Sequence, residues 1–283
     1  MTLSSWWESG SRVPVHTREG ESQLFVWEAG RGPTVTLPHG YPGSSYDWSQ
    51  VATNLATRHR VIAPDLLGFG ASDKPYPYPY SLREQADLVE QVWSDLDVSE
   101  SAVAAHDYSA SIAQELLRRG SPCLKSMVFL NGAVYPALHR PTDRQLALLG
   151  PHGDELAALI TEEIWTVALA ETFGPRHPLT PQQAEDLWRA FSGQDGQRLA
   201  AALLHYVADR AVDGNAWINA METNTAPTAF IWGPSDPVSG EHMIAEVERR
   251  MPGVPIARLA GVGHWPMIED PAAVSSTLIY HLS

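Results

Sequence analysis

Short apolar runs recur along the chain, several of them ending in a polar, potentially reactive residue and bounded by Gly and Pro, and they alternate with longer stretches of helical period. Such alternation is the pattern of a mostly parallel β-sheet flanked by helices, an α/β architecture. Strands are expected at 24–30 (LFVWEAG), 33–40 (PTVTLPHG), 59–68 (HRVIAPDLLG), 101–107 (SAVAAHD), 124–132 (LKSMVFLNG), 227–236 (PTAFIWGPSD) and 255–264 (PIARLAGVGH). The first two are split by the turn Gly30-Arg31-Gly32, and together the runs read as a parallel set. Open parallel sheets bind ligands beyond the carboxyl ends of their strands. His39, Asp65, Asp107, Asp236 and His264 all fall at such ends.

One interval breaks the rhythm. Between Asn131 and Pro227 the patterning is helical (TDRQLALLG, DELAALITEEIWTVALAETF, TPQQAEDLWRAFS, GQRLAAALLHYVADR), with no convincing strand. It is too long for a loop and reads as a helical cap inserted after a strand. The expected organisation is a core domain at 1–132 and 225–283 with a cap at 133–224, which suits a length of 283 residues. KPYPYPY, 74–80, reads as extended and as a loop lip.

Charge and cysteine content remove several functions. Asp and Glu outnumber Lys and Arg by 33 to 19, a net charge of −14 without any basic run, so nucleic acid and anionic membrane are poor partners. Cys123 is the only cysteine, which excludes an intrachain disulfide and a Cys-based zinc site. The eleven histidines form no HExxH pair, so neither a metal nor another cofactor is expected. The start, MTLSSWWESGSRVP, has neither a positive n-region nor an apolar run, and no stretch nears ~18 uninterrupted apolar residues. A cytoplasmic location without membrane insertion is the expectation.

Asp107 ends an apolar strand and precedes the helical SIAQELLRR. A strand-to-helix turn sharp enough to expose a nucleophile needs small residues two before and two after it, and Ala105 and Ser109 satisfy this. Ser109 in the same role would place Asp107 where a small residue belongs. The competing reading of Asp107 is an ordinary helix N-cap. His264, in the Gly-rich GVGHWPMIEDP, is the histidine that can serve Asp107, and Asp236 in WGPSDPV can orient its imidazole. Nucleophile, acid and histidine occur in the chain order expected of an α/β-hydrolase. In HGYPGSS, 39–45, the amide of Tyr41 together with that of Tyr108 would make a two-donor oxyanion hole.

HGYPGSSYDW, APDLLGFGASDKP, AHDYS and GVGHWPMIEDP together resemble the α/β-hydrolase branch that holds epoxide hydrolases and haloalkane dehalogenases. Within it, HDYSASIAQELL, NGAVYPALHRP, LLHYVADR and WGPSDPV look most like the mesoderm-specific transcript proteins. The resemblance implies the α/β-hydrolase fold with an inserted helical cap, Asp107 as nucleophile, His264 as water-activating base and Asp236 as its partner. A carboxylate attacks an sp³ carbon and leaves an alkyl ester, which water then cleaves. Dehalogenases of this branch carry a Trp after the nucleophile and often an Asn in the HG motif, where this chain has Tyr108 and Tyr41. Nor does an Arg follow the nucleophile, as in fluoroacetate-type enzymes. Epoxide hydrolases carry HG-aromatic-P, matched by His39, Gly40, Tyr41 and Pro42, and use cap tyrosines as acids, for which Tyr206 and Tyr135 are the candidates. One departure stands out: where many epoxide hydrolases have Trp-Tyr near the cap's end, Trp217 is followed by Ile218.

The expected activity is hydrolysis of a hydrophobic epoxide to a vicinal diol through a covalent alkyl-enzyme ester. Haloalkane dehalogenation and a weakly catalytic ligand-binding or signalling module are the alternatives. A small hydrophobic substrate and water are the expected partners, with a homo-oligomer left open. His106 is expected to pack beneath the nucleophile without a proton-transfer role, Asp65 to organise its loop, and His139 and His205 to sit in the cap at solvated surface positions rather than along the pocket.

Overall fold

The computed structural model describes residues 1–282. Its strands are β1 (Ser11–Thr17), β2 (Gly20–Ala29), β3 (Thr34–Thr36), β4 (Arg60–Pro64), β5 (Ser101–His106), β6 (Leu124–Leu130), β7 (Thr228–Trp232) and β8 (Ile256–Arg258), joined in one sheet of order β1-β2-β4-β3-β5-β6-β7-β8. From β4 onward across the sheet the pairing is parallel. β5 is buried along its whole length, as expected of a central strand covered on both faces. Phe129 of β6 stacks on Phe230 of β7 with ring centroids 5.4 Å apart.

Two expectations about the sheet are corrected. The run at 24–30 belongs to β2, which is antiparallel to both β1 and β4 rather than part of the parallel set. β1 went unpredicted because SRVPVHT contains Pro14, which argues against a strand. It is tolerated because β1 lies at the sheet's edge, with Pro14 opposite Gln23. The run at 255–264 also contributes less strand than expected, since β8 is confined to Ile256–Arg258.

The helices are α1 (Leu3–Ser9), α2 (Ser49–Leu55), α3 (Leu82–Asp95), α4 (Tyr108–Arg119), α5 (Asp143–Leu148), α6 (Gly153–Ala158), α7 (Glu162–Ala170), α8 (Pro181–Ser192), α9 (Ala200–Leu204), α10 (Tyr206–Thr223), α11 (Glu241–Arg250), α12 (Pro266–Glu269) and α13 (Pro271–Leu282). α4 ends at Gly120 in the left-handed conformation, φ 64°, with its amide on the carbonyls of Leu116 and Leu117. Everything regular between β6 and β7 is helical, α5 to α10 with short 3₁₀ turns.

α10 is fastened along α4 and to the start of α3. Trp217 Nε1 donates to Glu115 Oε2 at 2.7 Å, Arg210 Nε to Ser111 Oγ at 2.9 Å, and the amide of Leu82 to Asp209 Oδ2 at 2.7 Å. The helix that follows the strand end at Asp107 is thereby tied to the last helix of the insertion. KPYPYPY is irregular as expected, with Tyr76 exposed while Tyr78 and Tyr80 are buried, their hydroxyls donating to Glu84 and to the Pro75 carbonyl. No helix among the described residues is long and apolar enough to cross a membrane.

Candidate active site

Asp107 stands between β5 and α4 at φ 46°, ψ −104°, a backbone conformation that non-glycine residues rarely hold. Its side chain makes no capping bond to α4, so the N-cap reading fails. Instead Oδ2 accepts the Tyr41 amide at 3.0 Å. The sharp turn depends on small neighbours. A Cβ added to Gly40 would lie 2.6 Å from His106 Nδ1 and 2.9 Å from Asp107 Cβ, closer than any side chain can be accommodated. Ser109 is fully engaged structurally, its hydroxyl bonded to the Pro38 carbonyl at 2.8 Å and to the amide and carbonyl of His106 at 2.9 Å. That arrangement leaves it no role as a nucleophile.

Asp236 and His264 meet across the ends of β7 and β8, with His264 Nδ1 2.8 Å from Asp236 Oδ2. Asp236 is held by the Val238 amide on Oδ1 at 2.7 Å and by Asn131 Nδ2 on Oδ2 at 3.0 Å. Burial alone would disfavour the imidazolium, but Asp236, Asp107 and Glu269 outweigh it and raise the His264 pKa to about 9. Burial likewise works against ionised Asp236, and the His264 charge together with three hydrogen bonds lowers its pKa nonetheless.

His106 packs beside this pair, its ring centroid 4.9 Å from that of His264 and its Nε2 donating to the His264 carbonyl at 2.7 Å. Burial and the neighbouring His264 push its pKa down to about 3, so it stays neutral. His39 is structural: Nδ1 donates to the Gly40 carbonyl and Nε2 accepts the Leu66 amide. Asp65 accepts the amides of Ser45 and Ala71, both at 2.6 Å, and so fixes two loops.

Three residues of this region escaped sequence reasoning. Asn131, at φ 32°, pairs with both main-chain groups of Gly233 as well as with Asp236, joining the ends of β6 and β7. Buried Glu269 accepts the amides of Gly263, Trp265 and Gly174, which sets the loop around His264. Arg210 of α10 donates to the Asp107 carbonyl at 3.2 Å. Only an Asn directly after a strand offered any sequence signal, and that signal is weak.

A cavity of about 440 Å³ has Tyr41, Pro42, Asp107 and His264 in its lining, with apolar walls that include Leu148, Leu156, Ile160, Ile164, Trp165 and Phe191 from α5 to α8. Neither candidate acid lines it. Tyr135 is turned elsewhere, its hydroxyl donating to Glu222 at 2.9 Å and its ring lying under Arg250. Tyr206 is fully buried behind Tyr41 and Tyr108, with ring centroids 6.2 and 5.0 Å away. Tyr108 opens α4, and no hydrogen bond joins its amide to Asp107 among the described residues. His205 is exposed and His139 partly buried, and neither lines the cavity. Among the described residues no group of three or more His, Cys, Asp or Glu side chains is placed to hold a metal ion.

Comparison with known proteins agrees with the fold. A family model described as the alpha/beta hydrolase fold matches residues 33–271. The chain is 33% identical to LipZ of Mycobacterium tuberculosis, covering 98% of this chain and 97% of that protein. It is 35% identical to the human mesoderm-specific transcript homolog protein, covering 95% and 84% respectively. Among solved structures, haloalkane dehalogenase DbeA from Bradyrhizobium elkani superposes with a TM-score of 0.81 at 20% identity, covering 96% of this chain and 98% of that one.

Proposed function

The chain belongs to the α/β-hydrolase family, and from that membership we propose that it hydrolyses a hydrophobic epoxide to a vicinal diol through an alkyl ester on Asp107. In this reading residues 133–224 form a cap over a core made of 1–132 and 225–283, and α5 to α8 supply the apolar binding surface. The observation that carries the reading is the state of Asp107: a carboxylate at a strained turn that caps nothing, lines the cavity and accepts the Tyr41 amide.

The chemistry follows from that placement. Asp107 Oδ1 accepts no hydrogen bond among the described residues and is the attacking oxygen, while Oδ2 rests on Tyr41 N. Once the ester forms, the carbon that water must attack is the enzyme's own carboxyl carbon. The Tyr41 amide then faces the oxygen on which the tetrahedral oxyanion develops, with the Tyr108 amide as the second donor of the hole. His264 supplies the base. In the resting protein it is an imidazolium, held so partly by Asp107, and alkylation removes that anion and lowers its pKa toward the range where it can take a proton from water.

Haloalkane dehalogenation is the second reading. It is favoured by the absence of both candidate acids, Tyr206 and Tyr135, from the cavity lining, because a halide departs without a proton. A panel of apolar epoxides and haloalkanes, run for a single turnover in H₂¹⁸O, tests both. Diol formation with ¹⁸O appearing in the Asp107 peptide supports the proposal, halide release with the same labelling supports the second reading, and ¹⁸O in product alone contradicts both.

A further inference from the structure

The wall of the cavity is not uniform. Asp107 and His264 belong to its buried part, together with Trp165 and Leu169 of α7 and Phe191 of α8. Leu156 of α6, Ile164 of α7 and Leu159 between the two helices line the same cavity, yet they are 41%, 50% and 69% exposed. A single exposed leucine needs no explanation, but three apolar side chains that share one wall with a buried carboxylate do. Local sequence puts them there. In α6, GDELAA, only Gly153 and Ala157 are buried. In α7, EEIWTVALA, Trp165 and Leu169, four apart, turn into the molecule, which leaves Ile164 and Val167, three apart, on a neighbouring face that is about half exposed.

Charge around this exposed part is of one sign. Asp154 and Glu155 precede Leu156, Glu162 and Glu163 precede Ile164, and all four acids are exposed. The only Lys or Arg among the lining residues is Arg144 of α5, and its Nη1 is already bound to Glu171 Oε2 at 2.6 Å. A molecule that reaches from the buried part to the exposed part meets apolar side chains along the way and an acidic border where it emerges.

We infer that Leu156, Leu159 and Ile164 form an outer subsite for the substrate's tail, a linear uncharged hydrocarbon chain that enters with its reacting end toward Asp107 and emerges at α6 and α7. This rests on Asp107 being the reacting group. A short substrate leaves the three side chains in water. A chain long enough to lie on them removes apolar surface of both partners from solvent, and each methylene buried tightens binding by about fourfold. A tail that ends in a carboxylate carries its charge into the acidic border, where the one cation is spent on Glu171. The subsite selects for length and against negative charge.

1-Alkanols from butanol to decanol, which cannot alkylate the protein, are the probes, titrated calorimetrically against the wild type and the triple variant Leu156→Ser/Leu159→Ser/Ile164→Ser. Wild-type affinity is expected to keep rising by about two- to fourfold per methylene to the end of the series. In the variant the rise should stop partway, so that the ratio of decanol to butanol affinity falls about tenfold or more. Equal ratios in the two proteins, or a loss that is the same at every length, overturn the subsite. If the triple variant does not fold, Leu159→Ser alone, at the most exposed position, decides on the same ratio. The decanol homologue with a carboxylate at its far end should bind about fivefold more weakly than decanol or worse, and equal or tighter binding overturns the uncharged tail. Alkanol binding needs no turnover, so the two readings fail separately. An Asp107 adduct without the length dependence removes the outer subsite alone, and the length dependence without an adduct removes the nucleophile reading.

Discussion

Asp107, Asp236 and His264 could be singled out as candidates because each lies beyond a strand, Asp107 directly before a helix and the other two in loops containing Gly or Pro, a local pattern with chemical meaning. Asn131 and Arg210 could not, because their meaning is set by partners far away in sequence: Asn131 binds Asp236 105 residues on, and Arg210 binds the Asp107 carbonyl 103 residues back. The elevated His264 pKa makes a prediction about stability. A pKa raised from an ordinary 6.5 to about 9 stabilises the fold fully below pH 6.5, and that contribution is lost as pH rises through about 9. It is worth on the order of 3 kcal/mol. Urea unfolding of wild type and His264→Gln at pH 6 and pH 10 should show the difference between them shrinking at high pH, and a constant difference contradicts the assignment. The tyrosines give a second prediction. Tyr206→Phe and Tyr135→Phe should both leave epoxide turnover within about twofold of wild type, because neither side chain lines the cavity and the Tyr135 hydroxyl is spent on Glu222; steady-state rates on a common epoxide check this, and a loss of ~10²-fold in Tyr206→Phe, the usual scale for losing a general acid, contradicts it.

At the scale of elements, periodicity revealed that β6 is followed by helices and not by another strand. It gave no strand direction, because an antiparallel strand buried on both faces, such as β2, reads much like a parallel one. It also failed at β1, where edge position overrides the penalty of Pro14. Pattern likewise could not show that α10 is pinned to α4, since the pinning groups are single polar side chains in a helix of ordinary composition. Trp217 Nε1 and the fully buried Glu115 carboxylate make one such bond, and Trp217→Phe should remove it while keeping most of the ring's packing. The expected loss is about 1–3 kcal/mol, the cost of leaving a buried charged acceptor without one donor. Urea denaturation measures it. A change near zero means that Arg118 and Arg119, which also bind Glu115, suffice alone to satisfy it.

For the whole molecule, the fold brings Asp107 and His264 into the lining of an apolar cavity, and the helices between β6 and β7 supply much of the cavity's wall. The fold was legible from the order of strand and helix. The shape of the cavity was not, because α5 to α8 meet only through their tertiary packing. Everything proposed depends on which atom attacks. Intact and peptide mass spectrometry of His264→Gln, after exposure to apolar epoxides and haloalkanes, asks this directly, because removing the base stalls the ester after it forms. The account predicts a stable adduct on the Asp107 peptide carrying the whole mass of the epoxide. An adduct on any other residue, or none from a folded protein that still binds the compounds, contradicts it.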